Sequence, residues 1–269
     1  MALAARHAIA IHQPAWLLFT DGDILFHPQA LRRSLALAEA QAADHFVTLP
    51  TAILHHRNEA MVMGFLQVLG LWATRPWCVA NPRTRDAIGI GAFNLIRTSA
   101  YQQLGGFETL RLAILDDLTL ARRVKDAGLR QRVAFAPGYV RVHWAPGATG
   151  IIRTMTKNLF AIFRFNLPLL LIACVWLTLL CILPFAALLW SPTRLPALVT
   201  LAAIASMYRT TGQFSRIPTA NFLAFPFAAA LFIYSMLRST VTTLRDGGVH
   251  WRGTLYPLAD LRRNAPKLW

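Results

Sequence analysis

Carboxylates are scarce in this chain, and two tight pairs of them have the type and spacing to do chemistry. The chain has only 12 acidic residues among 269. The first pair, Asp21 and Asp23, follows the apolar run Trp16-Leu-Leu-Phe-Thr20, which is typical of a buried strand feeding a turn. Mg²⁺ and Mn²⁺ prefer oxygen ligands, commonly one or two carboxylates plus substrate phosphates. The pair therefore predicts a divalent-metal site, with an ordinary Asx turn as the alternative.

The second pair, Asp116 and Asp117, opens a segment with the signature of a helix. Acidic residues come first, basic residues follow, and Gly128 supplies a left-handed stop. Two adjacent carboxylates repel, so one of them can gain basicity and act as a general base. Taken alone, the pair is better explained as a helix N-terminus stabilised by the macrodipole.

The elements that must position these residues alternate between strand and helix. A strand over 16–20, a helix beginning at Pro28 and a strand over 45–50 favour an α/β layer. The later pattern predicts an apolar helix over 58–75, a strand over 89–95, a short helix from Thr98 to Gly105, strands over 130–136 and 139–144, and an amphipathic helix over 150–165.

Beyond residue 166 the composition indicates membrane spans. The whole chain is 55% hydrophobic and 14% charged, with a mean hydropathy of +0.43, which disfavours a purely soluble protein. Residues 167–190 and 220–237 are long enough to span a bilayer, whereas 195–208 is shorter and weaker. Basic residues flank both ends of this region, so the positive-inside rule favours both ends in the cytoplasm, which three full spans would not allow. Either one segment is re-entrant or interfacial, with 195–208 as the candidate, or a further span lies upstream.

The net charge of +15 raises the question of nucleic acid, but its distribution argues against that partner. The arginines are scattered, lysine is nearly absent, and much of the charge flanks the apolar segments, where it acts as a topology signal. The three cysteines lack metal-type spacing and fit a reducing compartment.

The ordered set of motifs resembles the family 2 glycosyltransferases with a GT-A fold, closest to membrane-anchored members related to ceramide and hopanoid-associated transferases. The resemblance implies an α/β, partial GT-A (Rossmann-like) catalytic domain over 1–165, transmembrane helices over 166–238 and a basic juxtamembrane tail over 239–269. The matching stretches are Trp16-Leu-Leu-Phe-Thr-Asp-Gly-Asp23, the segment from Gly89 to Phe107, the segment from Leu115 to Gly128, and Trp251-Arg-Gly-Thr-Leu-Tyr256.

The resemblance also implies roles. Asp21 and Asp23 match the DxD motif that holds Mg²⁺ or Mn²⁺ against the diphosphate of a nucleotide-sugar donor. Asp117 matches the general base of an inverting transfer, and Asp116 occupies the position before it. The segment expected to line the donor-sugar and acceptor site is Gly91, Ala92, Phe93 and Asn94.

Three further residues are candidate ligands of phosphate or metal. The Q-x-x-R-W motif of many processive members is absent, which favours a single transfer, to a lipid or amphiphilic acceptor. Arg153 and Lys157 lie four residues apart where that motif would stand, and they could meet phosphates or lipid headgroups. His143 could reach the metal or the diphosphate, although a lone histidine in a strand is more often structural. The catalytic part of such a cell-membrane enzyme would face the cytoplasm.

The beginning of the chain leaves two alternatives open. Asp21 follows only 20 residues, whereas a GT-A domain normally has its nucleotide-recognising half before the DxD motif, so we expect that half to be missing and a non-catalytic relic to be one alternative. The other is a haloacid-dehalogenase-type phosphatase, with Asp21 as nucleophile, Asp23 as acid and the Asp116–Asp117 pair as downstream metal ligands. Leu25 departs from that phosphatase pattern, and the membrane tail is atypical of it.

Overall fold

The computed structural model describes residues 1–110, 113–251 and 253–265, which fall into two compact units. The first unit comprises Met1–Ile53 and Leu71–His143, and the second comprises Leu54–Gly70 and Trp144–Ala265. The described helices are α1 (Ala2–His12), α2 (Ala30–Ala40), α3 (Arg57–Thr74), α4 (Thr98–Gln103), α5 (Asp116–Asp126), α6 (Gly147–Thr156), α7 (Leu159–Ile162), α8 (Leu167–Leu177), α9 (Leu183–Ala186), α10 (Arg194–Ser215), α11 (Phe225–Arg245) and α12 (Leu258–Arg263). The described strands are β1 (Trp16–Phe19), β2 (Ile24–Phe26), β3 (His45–Leu49), β4 (Thr51–Ala52), β5 (Asn94–Arg97), β6 (Gln131–Phe135), β7 (Val140–Val142), β8 (Gly248–Trp251) and β9 (Thr254–Pro257).

The first unit is built on a mixed four-stranded sheet in the order β1-β5-β3-β6. β5 runs antiparallel to both β1 and β3, and β3 runs parallel to β6. The inner strands β3 and β5 are almost wholly buried, and their buried residues include the polar His45, Thr48 and Asn94 beside the apolar ones. The α/β class and the strands expected near 16–20, 45–50 and 130–136 are thus confirmed.

A second, smaller sheet of this unit has the order β2-β7-β4. β2 is antiparallel to β7, with Ile24 opposite Val142, and begins directly after the Asp21–Asp23 turn. The N-terminal residues, for which the sequence suggested no element, form α1. Its Ala5 packs in a core with Leu17 of β1 and with Leu120 and Val124 of α5, so α1 helps to fix both elements that carry the aspartate pairs.

The strand expected over 89–95 is wrong in its first half. Residues 89–93 are irregular, and β5 begins only at Asn94. The physical reason is that the Gly91 N–H donates to the Asp117 carboxylate instead of to a neighbouring strand, while the Gly91 carbonyl still accepts from the Asp21 backbone N–H just beyond β1.

In the second unit, the single amphipathic helix expected over 150–165 is also wrong, because the chain forms α6 and α7 with a break between them. The break lies at Asn158, whose N–H donates to the Met155 carbonyl in a tight turn. The Phe160 N–H donates to the Ser239 hydroxyl of α11 at 3.1 Å. This bond ties the start of α7 to α11.

Two helical segments of the second unit are long and apolar enough to cross a membrane, which is weak evidence for membrane association. They are Leu167–Leu189 and Thr219–Arg245, and most of the surface of each is unburied. The first continues from α8 through a π-helical turn at Thr178–Ile182 and α9. α10 has 22 residues but is not among the described segments that qualify, in line with the sequence expectation that this stretch is the weak one.

Candidate active site

The first aspartate pair lies where β1 ends. Beyond β1 the chain keeps running beside the segment that precedes β5: the Thr20 hydroxyl donates to the Ala92 carbonyl at 3.0 Å, and the Asp21 N–H donates to the Gly91 carbonyl at 2.9 Å. β1 is paired in the sheet, and these two bonds fix the position of the turn that follows it. Asp21 and Asp23 are both exposed, so their carboxylates are accessible to a ligand from solution.

Gly91 is the residue against which the Asp21 carboxylate rests. A Cβ at this position would lie 2.5 Å from Asp21 Oδ2 and 3.1 Å from its Cγ. Only glycine leaves this space, because any other side chain would push the carboxylate away.

Asp117 lies in the first turn of α5, and the same glycine segment contacts it. Its carboxylate accepts hydrogen bonds from the Leu118 N–H at 2.8 Å and from the Gly91 N–H. A Cβ on Gly89 would lie 1.9 Å from the Asp117 carbonyl oxygen, so the two backbones meet directly. The Gly89-Ile90-Gly91 segment, here called the glycine bridge, thus contacts both Asp21 and Asp117.

The environment of Asp117 makes its carboxyl unusually basic. Burial raises its pKa from an ordinary value of 3.8 to about 6, and the negative charges of Asp116 and Asp21 add to the effect. The hydrogen bonds from Leu118 and Gly91 favour the charged form and only partly oppose this rise. Asp117 is therefore mostly ionised at neutral pH and a better proton acceptor than an ordinary aspartate, as a general base must be.

Three residues were expected to hold a metal ion: Asp21, Asp23 and His143. The two carboxylates are exposed, and the histidine follows a strand that pairs with β2. Ile24 and Val142 are paired in the β2–β7 ladder, so Asp23 and His143 lie one residue beyond that pair, at the same end of the two strands. Among the described residues no group of three or more His, Cys, Asp or Glu side chains could hold a metal ion. Mg²⁺ needs no such group when one or two carboxylates and substrate phosphates bind it, and the two exposed carboxylates of Asp21 and Asp23 fit this chemistry.

The predicted lining segment divides at the glycine. Gly91 lies at the two aspartates, whereas Ala92, Phe93 and Asn94 are buried in the first unit. Phe93 packs edge-on against Phe26 with ring centroids 5.8 Å apart, and the Asn94 side chain bonds to the His45 ring. These three side chains support the sheet, and the structure does not bring them to the surface at Asp21.

Arg153 and Lys157 belong to the second unit, where both are exposed. Arg153 lies on α6 opposite the buried Ile151, Ile152 and Met155. The Lys157 ammonium lies 5.6 Å from the centre of the Trp251 ring, a cation–π distance. The apolar face of α6 is buried in the second unit, so only the two bases are free to meet phosphates or lipid headgroups.

Sequence reasoning missed the roles of Gly89, His45 and Gln131. Gly89 contacts the Asp117 backbone, and Gln131 bonds both to His45 and to Ile88, the residue before Gly89. The Gly89-x-Gly91 spacing before a buried strand was the available signal for close backbone approach. His45 and Gln131 gave no signal of that kind, since a polar residue at the start of a strand does not show which distant group it will bond to.

The comparison with protein families follows this geometry. The chain belongs to the family described as glycosyltransferase like family 2, whose model matches residues 1–164. The comparison with curated proteins gives no match. Membership of this family supports a glycosyltransferase, and it implies a nucleotide-sugar donor and an acceptor.

Proposed function

We propose that this protein is a membrane-bound, inverting glycosyltransferase that moves one sugar from a nucleotide-sugar donor to a hydroxyl of a lipid or amphiphilic acceptor. Family membership over residues 1–164 supports sugar transfer. The proposed mechanism, with a metal-bound donor and a general base, rests on the glycine bridge. This segment contacts both the exposed Asp21 carboxylate and the Asp117 carboxylate, whose pKa is raised.

In this proposal Asp117 is the general base. Its carboxylate takes the proton from the acceptor hydroxyl as the hydroxyl oxygen attacks the anomeric carbon from the face opposite the leaving diphosphate. Single displacement from the opposite face inverts the configuration. Asp116 is a positioning residue, because its Oδ1 accepts from the Asp117 N–H at 3.0 Å and its charge helps to raise the pKa of Asp117.

The donor end of the site would be formed by Asp21 and Asp23. These carboxylates would hold Mg²⁺ or Mn²⁺ against the diphosphate. His143, which follows β7 at the same end of the β2–β7 pair, would assist them. The bound ion supplies charge stabilisation to the leaving diphosphate.

The second unit supports the choice of an amphiphilic acceptor. Two helical segments are long and apolar enough to span a bilayer, and Arg153 and Lys157 are exposed bases that could meet lipid headgroups. An enzyme held in this way meets acceptors that are dissolved in the membrane. The positive-inside rule would place the catalytic part in the cytoplasm.

Replacing Asp117 by asparagine tests the proposal. We expect Asp117→Asn in the natural full-length protein to lower sugar transfer by about 100- to 10,000-fold, since only the proton acceptor is lost. Binding of a nucleoside diphosphate, measured calorimetrically with and without Mn²⁺, should stay close to wild type. Asp21→Asn should instead weaken the Mn²⁺-dependent part of that binding.

The control is Glu39→Gln, the same kind of change at an exposed carboxylate on α2. Transfer would be followed with a panel of radiolabelled nucleotide-sugars and a membrane lipid extract. Near wild-type transfer by Asp117→Asn would show that the base is another group. Phosphatase activity without any sugar transfer by the wild type would overturn the proposed function as a whole.

A further inference from the structure

A buried polar network lies beneath the glycine bridge. It consists of the side chains of His45 on β3, Asn94 on β5 and Gln131 on β6, each at most 1% exposed. The His45 ring bonds to Asn94 Oδ1 through Nε2, and its Nδ1 lies 2.7 Å from Gln131 Nε2. Gln131 then makes two bonds to the backbone of Ile88: its Nε2 donates to the Ile88 carbonyl at 2.9 Å, and its Oε1 accepts from the Ile88 N–H at 3.1 Å.

The bonds have one consistent direction. Asn94 Oδ1 can only accept, so His45 carries its proton on Nε2, and Nδ1 of a neutral ring then accepts from Gln131. Burial lowers the pKa of His45 to about 4, which keeps the ring neutral at ordinary pH. One N–H of the Gln131 amide is thus bound to His45, which leaves the other N–H and the carbonyl oxygen directed at Ile88.

The network supplies partners that the sheet does not. Residues 85–93 form no strand, so the buried Ile88 backbone has no ladder to bond to. A buried N–H or C=O without a partner is costly. The Gln131 side chain provides one donor and one acceptor at that position and acts as a substitute for a neighbouring strand.

We propose that Gln131 and His45 are positioning residues of the active site: Gln131 clamps Ile88, His45 orients the Gln131 amide, and the clamp fixes the glycine bridge that follows. The register of the bridge decides whether the Gly91 N–H reaches Asp117 while Gly91 leaves room for Asp21. The consequence for the reaction rate rests on the proposed function, whereas the clamp itself does not.

Amide hydrogen exchange tests the clamp without any assay of activity. In Gln131→Met, which keeps most of the side-chain volume but loses both bonds, we expect exchange in the peptide covering residues 86–93 to speed up by about tenfold or more, since the segment opens locally. His45→Gln should have a smaller effect in the same peptide, because it leaves the two Gln131–Ile88 bonds in place and removes only their orienting partner.

The matched control is Thr48→Val. Thr48 is also buried on β3, and its hydroxyl hydrogen-bonds with the Ser34 hydroxyl at 3.3 Å. The Thr48→Val variant loses a buried hydrogen bond of the same strand, so it shows the general effect of losing a buried hydrogen bond on β3. Exchange in the 86–93 peptide should stay at the wild-type rate in this variant.

Kinetics then separate positioning from general loss of stability. We expect Gln131→Met to lower kcat by about ten- to a hundredfold through misplacement of Asp117, with KM for the donor within about threefold of wild type. His45→Gln should retain more of kcat than Gln131→Met. Thr48→Val should change neither constant, even where its melting temperature falls as far as that of the other variants.

The two proposals fail in different ways. Unchanged exchange over 86–93 in both Gln131→Met and His45→Gln overturns the clamp, even if Asp117→Asn abolishes transfer. Equal acceleration in Thr48→Val overturns it as well, because the effect would then be general. If the exchange results hold and no form of the protein transfers sugar, the clamp stands and the proposed function falls.

Discussion

Asp117 combines a benefit for the proposed chemistry with a cost to the folded state. The burial and the neighbouring charges that make this carboxyl a good proton acceptor also make its ionised form unfavourable in the fold. Because its pKa is raised on folding, Asp117 contributes no penalty below about pH 4, a growing one between about pH 4 and 6, and a constant one above pH 6. Stability and activity are therefore in opposition at this one residue.

The cost of ionising the buried Asp117 carboxyl should be measurable as a pH-dependent difference in stability. We expect Asp117→Asn to be more stable than wild type above pH 6 and equal to it near pH 4, since an amide has no charge to bury. The gain at pH 7 to 8 should be at most about 3 kcal/mol, because each tenfold change in acidity corresponds to about 1.4 kcal/mol. Unfolding in detergent micelles, measured between pH 4 and 8, gives the difference directly.

Glu39→Gln, the same kind of change at an exposed carboxylate on α2, is again the control. A stability difference for Asp117→Asn that is constant with pH would mean that the carboxyl titrates as an ordinary aspartate. The environment described for Asp117 would then be wrong.

At the scale of elements, the glycine bridge explains which parts of the site the sequence could predict. Asp21 and Asp117 were identifiable because carboxylates are rare in this chain and each pair adjoins a well-marked element. The strand expected over 89–95 misplaced the bridge, because a local apolar pattern does not show that the Gly91 N–H bonds to the side chain of Asp117, which is distant in sequence. His45 and Gln131 were missed for the same reason: their partners are 43 and more residues away.

Alanine substitutions in the bridge should separate the two contacts. In Gly91→Ala the new Cβ meets the end of the Asp21 side chain, which can move, so we expect the fold to keep its stability and Mn²⁺-dependent nucleoside diphosphate binding to weaken by about tenfold. In Gly89→Ala the Cβ meets the Asp117 backbone, which cannot move alone, so we expect a loss of about 1–3 kcal/mol of stability as well as of transfer.

Gly22→Ala is the matched control for both, because it lies in the Asp21–Asp23 turn with no atom within 4 Å of its added Cβ. It should bind and unfold like wild type. The reverse pattern, with Gly91→Ala the more destabilised of the two, would contradict the contacts described here.

At the scale of the whole molecule, the number of crossing segments decides on which sides the flanks lie. The sequence has three apolar stretches with basic residues at both ends of the region. Three crossings would put these two basic flanks on opposite sides of the membrane. In the described part of the chain two segments qualify, Leu167–Leu189 and Thr219–Arg245, whereas α10 does not. Its 22 residues include Arg194 and Arg209, whose charges are costly in a bilayer. Two crossings return the chain to the side from which it left.

We therefore expect the residues before the first segment and after the second to be accessible from the same side of the membrane. Single cysteines would be placed at Thr149, Ser191 and Thr254, all exposed, in a protein whose natural cysteines Cys78, Cys174 and Cys181 are replaced by serine. A membrane-impermeant maleimide applied to sealed cells should label Ser191→Cys alone, and after permeabilisation it should label all three. Labelling of Thr149→Cys and Thr254→Cys from opposite sides would mean an odd number of crossings, with α10 as the third.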